Sequence, residues 1–197
     1  MRSELTASLR PAAVLLILFS LVLGLAYPAA LTGLSQISMP RQANGSLIRD
    51  GDRVIGSELI AQNFASPRYF QPRPSAAGKG YDAAASAATN LAPGSKDLRD
   101  AIATRMADAR AKGMTGVSVP PDLVTTSASG LDPDLSPEAA FSQTARVATA
   151  RGLPDEQVRA LVERSIAYPL FGIIGERRVN VLLLNRQLDR IAPNATP

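Results

Sequence analysis

The sequence predicts an α+β protein: a single N-terminal transmembrane helix followed by one compact mixed domain with a small sheet and about four helices. Three observations carry that reading. The run from Pro11 to Leu34 holds no charged residue, and roughly 20 apolar residues suffice to cross a bilayer core. The pair Asp50-Gly51, which favours a tight turn, lies between two short apolar stretches. Later segments repeat apolar residues at helical spacing behind recognisable caps. The division that follows is a tail at residues 1–10, a transmembrane helix at 11–34 and a folded domain at 35–197.

In the apolar run no polar stripe of the kind a buried soluble helix carries is visible. The competing reading is a cleavable signal peptide ending near Ala30, which would release a secreted or periplasmic binding protein. Pro28, Ala29 and Ala30 resemble a cleavage site loosely, but the apolar core from Pro11 to Tyr27 exceeds the roughly 7–15 residues usual for such signals. Arg2, Arg10 and the terminal amine face Glu4 alone, so the basic side stays cytoplasmic and the domain is expected outside, on a single-pass anchor. Small residues recur four apart at Ser20 and Gly24, Ala26 and Ala30, and Ala29 and Gly33, offering a surface where a partner helix could approach closely.

After the span, residues 46–48 and 53–55 are expected to pair as a hairpin around Asp50-Gly51. Leu59, Ile60, Phe64, Tyr69 and Phe70 concentrate scarce bulky surface and are expected to pack inward. From Ser66 to Ser95, prolines and glycines rule out a long regular element and predict an extended loop. Ser95 then caps a helix whose stripe is Leu98, Ile102, Met106 and Ala109, with Gly113 just past its end. Pro120 and Pro121 start a linker in which Val, Leu and Thr from 119 to 126 suggest a brief strand. Ser136 and Pro137 start a helix that Gly152 closes. Asp155 and Glu156 open the next, with Val158, Leu161, Val162 and Ile166 on one face, and Asn180 caps the last, along Val181, Leu184, Leu188 and Ile191.

Composition removes several chemistries. The chain has no Cys and no His, so disulfides, thiolate nucleophiles, imidazole bases and nearly all transition-metal sites are excluded. The formal charge is +4, yet Lys and Arg are scattered, without the basic stripe or stacking aromatics that nucleic-acid binding requires. Gly78-Lys79-Gly80 lacks the hydroxyl residue and the earlier glycine of a phosphate-binding loop. Asp132, Asp134 and Ser136 have the alternate spacing of a calcium loop, but Pro137 stands where glycine is needed and Gln143 where the bidentate Glu belongs. Ser127 and Ser129 in TTSASG have no base, so the hydroxyls read as turn formers.

Ordered blocks along nearly the whole chain carry a resemblance: YPAALTGLSQ, PRQANGSLI, GSELIAQNF, RYFQPRPSA, YDAAASAATNLAP, VPPDLVTTSASGLDPDLSPEAA, ARVATARGL and RVNVLLLN. Together they resemble the KdpC family, the C subunits of Kdp high-affinity potassium-transporting P-type ATPases. The resemblance implies a noncatalytic subunit of the bacterial inner membrane, beside a channel-like potassium-binding subunit and an ATP-hydrolysing subunit. It also implies a catalytic chaperone that raises the ATP affinity of the hydrolysing subunit, with Ser127, Ser129, Gly130 and Asp132 as the family's proposed nucleotide contact. No cofactor is expected on this chain itself, ATP entering through the complex. Because ATP is cytoplasmic and the charge bias puts this turn on the other face, the two implications meet only through coupling across the assembly.

Overall fold

The structure, a computed structural model, describes residues 2–112, 114 and 119–192, with side chains from Ala7 onward. It divides into two units, residues 1–47 and 48–197.

The first unit is helical: α1 (Arg2–Leu21), a π turn (Val22–Ala26), α2 (Tyr27–Ser38) and the short α3 (Pro40–Ala43). Ala7–Ser38 forms a helical stretch of 32 residues containing an 18-residue window of mean hydropathy 2.4, long and apolar enough to cross a membrane. It extends beyond the predicted 11–34 at both ends. The π turn has a local cause. Pro28 has no amide hydrogen and its ring would collide with a carbonyl one α-turn back; the widened turn lies just before it, where the Tyr27 N–H reaches back to the Val22 carbonyl. Ser20, Gly24, Ala26, Ala30 and Gly33 are all exposed, and a Cβ added at Gly24 or Gly33 would meet nothing within 4 Å. The extra residue in the turn shifts the angular register between Ser20 and the positions beyond Ala26.

The second unit is the α+β domain. Strands β1 (Leu47–Asp50) and β2 (Arg53–Ser57) form the expected hairpin, with Gly51 at φ +57° in its turn. An irregular path follows to α4 (Lys96–Ala111), where the Ser95 hydroxyl accepts the Leu98 N–H at 3.2 Å. Gly113, expected just beyond α4, lies outside the described residues. Next come β3 (Asp134–Leu135), α5 (Pro137–Phe141), α6 (Thr144–Arg151), α7 (Asp155–Arg164), β4 (Ile166–Ala167), β5 (Arg178–Asn180) and α8 (Val181–Ile191). A second sheet has the order β3-β5-β4, antiparallel throughout, with Leu135 and Ile166 both opposite Val179. Helix α7 packs on α5, α6 and α8, and the core gathers Phe70, Leu135, Val147, Val158, Val162, Val179, Leu184 and Leu188. Each such side chain contributes about 1.5–3 kcal/mol by leaving water.

Four expectations are corrected. Residues 119–126 form a single 3-10 turn, Pro121–Leu123, in place of a strand, because two prolines withdraw the amide donors that a ladder needs. The helix expected from Ser136 to Gly152 breaks at Ser142 and Gln143. There the Ser142 and Thr144 hydroxyls donate to the carbonyls of Ala139 and Phe141 at 2.9 and 3.0 Å, competing with helical amides. Ile166 leaves α7 and joins β4, still packed against the core. Leu59 and Ile191 are exposed, whereas Phe70 is fully buried.

Candidate functional site

The turn from Thr125 to Asp134 brings Ser127, Ser129, Gly130 and Asp132 together. It is tied to distant stretches of the chain. The Ser129 carbonyl accepts the Ser86 hydroxyl at 2.9 Å and the Ala87 N–H at 3.1 Å, and the Leu131 carbonyl accepts the Ala61 N–H at 2.9 Å. Within the turn, Gly130 N–H donates to the Ser127 carbonyl at 3.3 Å and Leu131 N–H to the Ser129 hydroxyl at 3.1 Å. The two serine hydroxyls are 3.5 Å apart.

Gly130 is buried at φ +67°, and a Cβ there would lie 2.7 Å from the Ala87 carbonyl oxygen and 2.8 Å from the Ala77 nitrogen. Glycine is required twice over: for the left-handed backbone and for the close approach of two other segments.

Electrostatics close the other end of the turn. Arg73 reaches the Asp132 carboxylate at 3.2 Å, the Thr126 carbonyl at 3.3 Å and the Thr125 hydroxyl at 3.4 Å. The other oxygen of Asp132 accepts the Asp134 N–H at 3.0 Å. Asp122 accepts the Ser136 N–H at 2.7 Å, and Asp134 pairs with Arg178 at 3.0 Å. The aspartates that share a calcium-like spacing thus go to separate structural partners. Beside the turn lies an open groove of about 660 Å³, lined by Leu59, Ile60, Arg73, Ser127 and Ser129 among others.

Arg73 and Asp122 were not singled out as site residues in the sequence. Arg73 stands in a proline-rich loop and meets Asp132 across 59 positions, a separation at which spacing carries no signal. Asp122 follows two prolines and caps a strand too short to show a period.

Burial pushes the Asp134 carboxyl above the usual carboxylate range; Arg178 pulls it back, Asp132 pushes it up, and a hydrogen bond with Asn180 lowers it. The native state therefore holds this proton more tightly than the unfolded chain. The resulting stabilisation is full below the ordinary value near 3.9 and is lost as pH rises through the raised native value. In urea titrations of the full chain in detergent, wild type should lose more stability than Asp134→Asn as pH rises above the ordinary carboxylate value near 3.9. Equal losses would contradict this assignment.

The segment holding the turn in place is itself read by buried amides. Gln143 accepts the Gln71 N–H at 2.9 Å and donates to its carbonyl at 3.0 Å. Asn185 does the same for Phe70, at 2.9 Å each way. Arg151, its side chain fully buried, donates to the Arg68 and Ala192 carbonyls at 2.8 and 2.7 Å, pairs with Asp189 at 2.7 Å and stacks over the Tyr69 ring at 4.8 Å. Residues 68–71 are thus held as a strap that delivers Arg73 to the turn.

The chain thus combines an apolar helix long enough to cross a membrane with an α+β domain whose polar turn residues are engaged in its own architecture. The chain matches the family described as "K+-transporting ATPase, c chain" over residues 9–190. It is 55% identical over 186 residues to the potassium-transporting ATPase KdpC subunit of Caulobacter vibrioides, covering 94% of each chain. It is 53% identical to that of Allorhizobium ampelinum (92% of this chain, 95% of the relative) and 48% identical to that of Rhodopseudomonas palustris (93% and 97%). The protein belongs to the KdpC family and is an accessory subunit of a potassium-transporting ATPase.

Proposed function

We propose that this chain, anchored beside the channel-like potassium-binding subunit and the ATP-hydrolysing subunit, stabilises its potassium-transporting ATPase complex and acts as a catalytic chaperone that raises the ATP affinity of the hydrolysing subunit without itself touching nucleotide. The N-terminus lies in the cytoplasm and the domain outside, following the charge bias of Arg2 and Arg10. The helix surface at Ser20, Gly24, Ala26, Ala30 and Gly33 receives a partner helix. The effect on ATP is then a coupling free energy between two sites.

The observation that supports indirect action is the state of the serine-glycine turn. A phosphate would draw on its backbone amides and hydroxyls; the Gly130 and Leu131 N–H groups are already donated within the turn. The test compares complexes reconstituted with wild type and with Ser129→Ala. Loss of the Leu131 contact should raise the KM for ATP several-fold, while calorimetry on the isolated full chain finds no ATP binding in either form. Stoichiometric, Ser129-dependent binding of ATP by the isolated chain would replace coupling with direct contact. A C-terminal reporter active only in the cytoplasm would overturn the orientation.

A further inference from the structure

The widened turn in the apolar stretch leaves a carbonyl that the helix itself does not serve. In an α-helix the Leu23 carbonyl would accept the Tyr27 N–H, but that amide goes to Val22. The next amide along, which a π turn would use, is missing because residue 28 is proline. Leu23 therefore keeps neither an α-helical nor a π donor, and no side chain among the described residues donates to it. Leu23 stands at the middle of Ala7–Ser38, where hydrocarbon has no donor to offer. Gly24 comes next, and a Cβ there would meet nothing within 4 Å, so another group has room to approach the exposed main chain.

We propose that the Leu23 carbonyl accepts a hydrogen bond from a hydroxyl or carboxamide side chain on a transmembrane helix of the potassium-binding subunit. A carbonyl left unpaired in hydrocarbon is costly, and Ser, Thr, Asn and Gln are the neutral side chains that hydrogen-bond across membrane helices. A second copy of this chain lying parallel brings Leu21, Val22, Gly24 and Leu25 to this depth, and none of them has a side-chain N–H or O–H. Of the two neighbouring subunits, the potassium-binding one must hold polar side chains at mid-membrane. Such groups are kept where a path for ions crosses the bilayer.

The proposal rests on the partner-helix reading given above, which retention of the wild-type chain by an affinity-tagged potassium-binding subunit checks separately. Tyr27→Ser places a hydroxyl one turn beyond Leu23, where it bonds back to the carbonyl four residues earlier and takes the place of the partner's donor. Tyr27→Ala makes the same truncation without a donor. In detergent extracts of the complex, the serine variant should be retained about three- to tenfold less than the alanine variant. A photoreactive leucine analogue at position 23 should form its adduct with the potassium-binding subunit in native membranes; this readout also decides the case if Tyr27→Ala alone abolishes retention. Equal retention of the two Tyr27 variants overturns the proposal, as do adducts confined to the ATP-hydrolysing subunit, to a second copy of this chain or to phospholipid.

Discussion

Gly130→Ala is expected to destabilise the domain by about 3 kcal/mol or more. Two costs add. The backbone at φ +67° is one that L side chains rarely adopt, and the new methyl would lie 2.7 Å from the Ala87 carbonyl oxygen and 2.8 Å from the Ala77 nitrogen. Both neighbours are main chain and cannot swing away as a side-chain tip would. Since domains are stable by only about 5–15 kcal/mol, the loss is a large share of the total and should lower the melting temperature by roughly 6–12 °C. Gly152→Ala is the matched control: its φ is +68°, but nothing lies within 4 Å of the added Cβ. It should cost only about 1 kcal/mol of strain. Thermal melts of the full chain in detergent compare the two. Equal shifts would mean that the strained backbone alone, and not the packing of residues 77 and 87 on the turn, fixes glycine at position 130. A fall in ATPase activity of a complex carrying Gly130→Ala would accordingly report a broken turn, not a lost nucleotide contact.

The elements legible in the sequence are those whose signals are local. Ser95, Ser136 and Asn180 each cap a helix through a side-chain oxygen, as their positions before apolar periodic stretches imply. Gly152 ends α6 in the left-handed conformation. The apolar helix was visible from hydropathy alone. The three-stranded sheet was not, because strands of two or three residues are shorter than the alternation that would reveal them. The break after Phe141 was hidden for another reason: Ala-rich sequence on both sides favours helix, and what interrupts it is a set of side-chain hydrogen bonds from Ser142 and Thr144.

The candidate site divides the same way. The serine-glycine turn could be read as a turn from its composition, and the family's ordered blocks drew attention to it. Its dependence on Ala61, Arg73, Ala77 and Ala87 could not be read, since these contacts join stretches far apart in the chain. The same holds for Gln143, whose place in the sequence suggested a failed calcium ligand and whose amide instead reads the backbone of Gln71.

That reading by amides yields the second large effect. Asn185→Leu should cost about 4 kcal/mol, because it strips both hydrogen bonds from the Phe70 backbone and leaves a buried N–H and a buried carbonyl without partners, each worth about 1–3 kcal/mol. The replacement is close in size, so loss of pairing and not a cavity dominates. Gln143→Met removes the equivalent pair from Gln71 and should cost a similar amount. The two side chains grip adjacent residues of one strap, and once one lets go the other has less ordered backbone left to bind. The double variant should therefore lose less than the sum of the single losses, with a coupling of about 0.5–3 kcal/mol. Denaturant titrations give the energies, and hydrogen exchange at the Phe70 and Gln71 amides reports the strap directly. Strict additivity with unaltered protection at the neighbouring amide would show two independent contacts. If the strap is one unit, its release also frees Arg73, which lies just beyond it and holds the Asp132 carboxylate at 3.2 Å. The single variants should then raise the KM for ATP of the reconstituted complex in the same direction as Ser129→Ala, although neither residue lines the groove beside the turn.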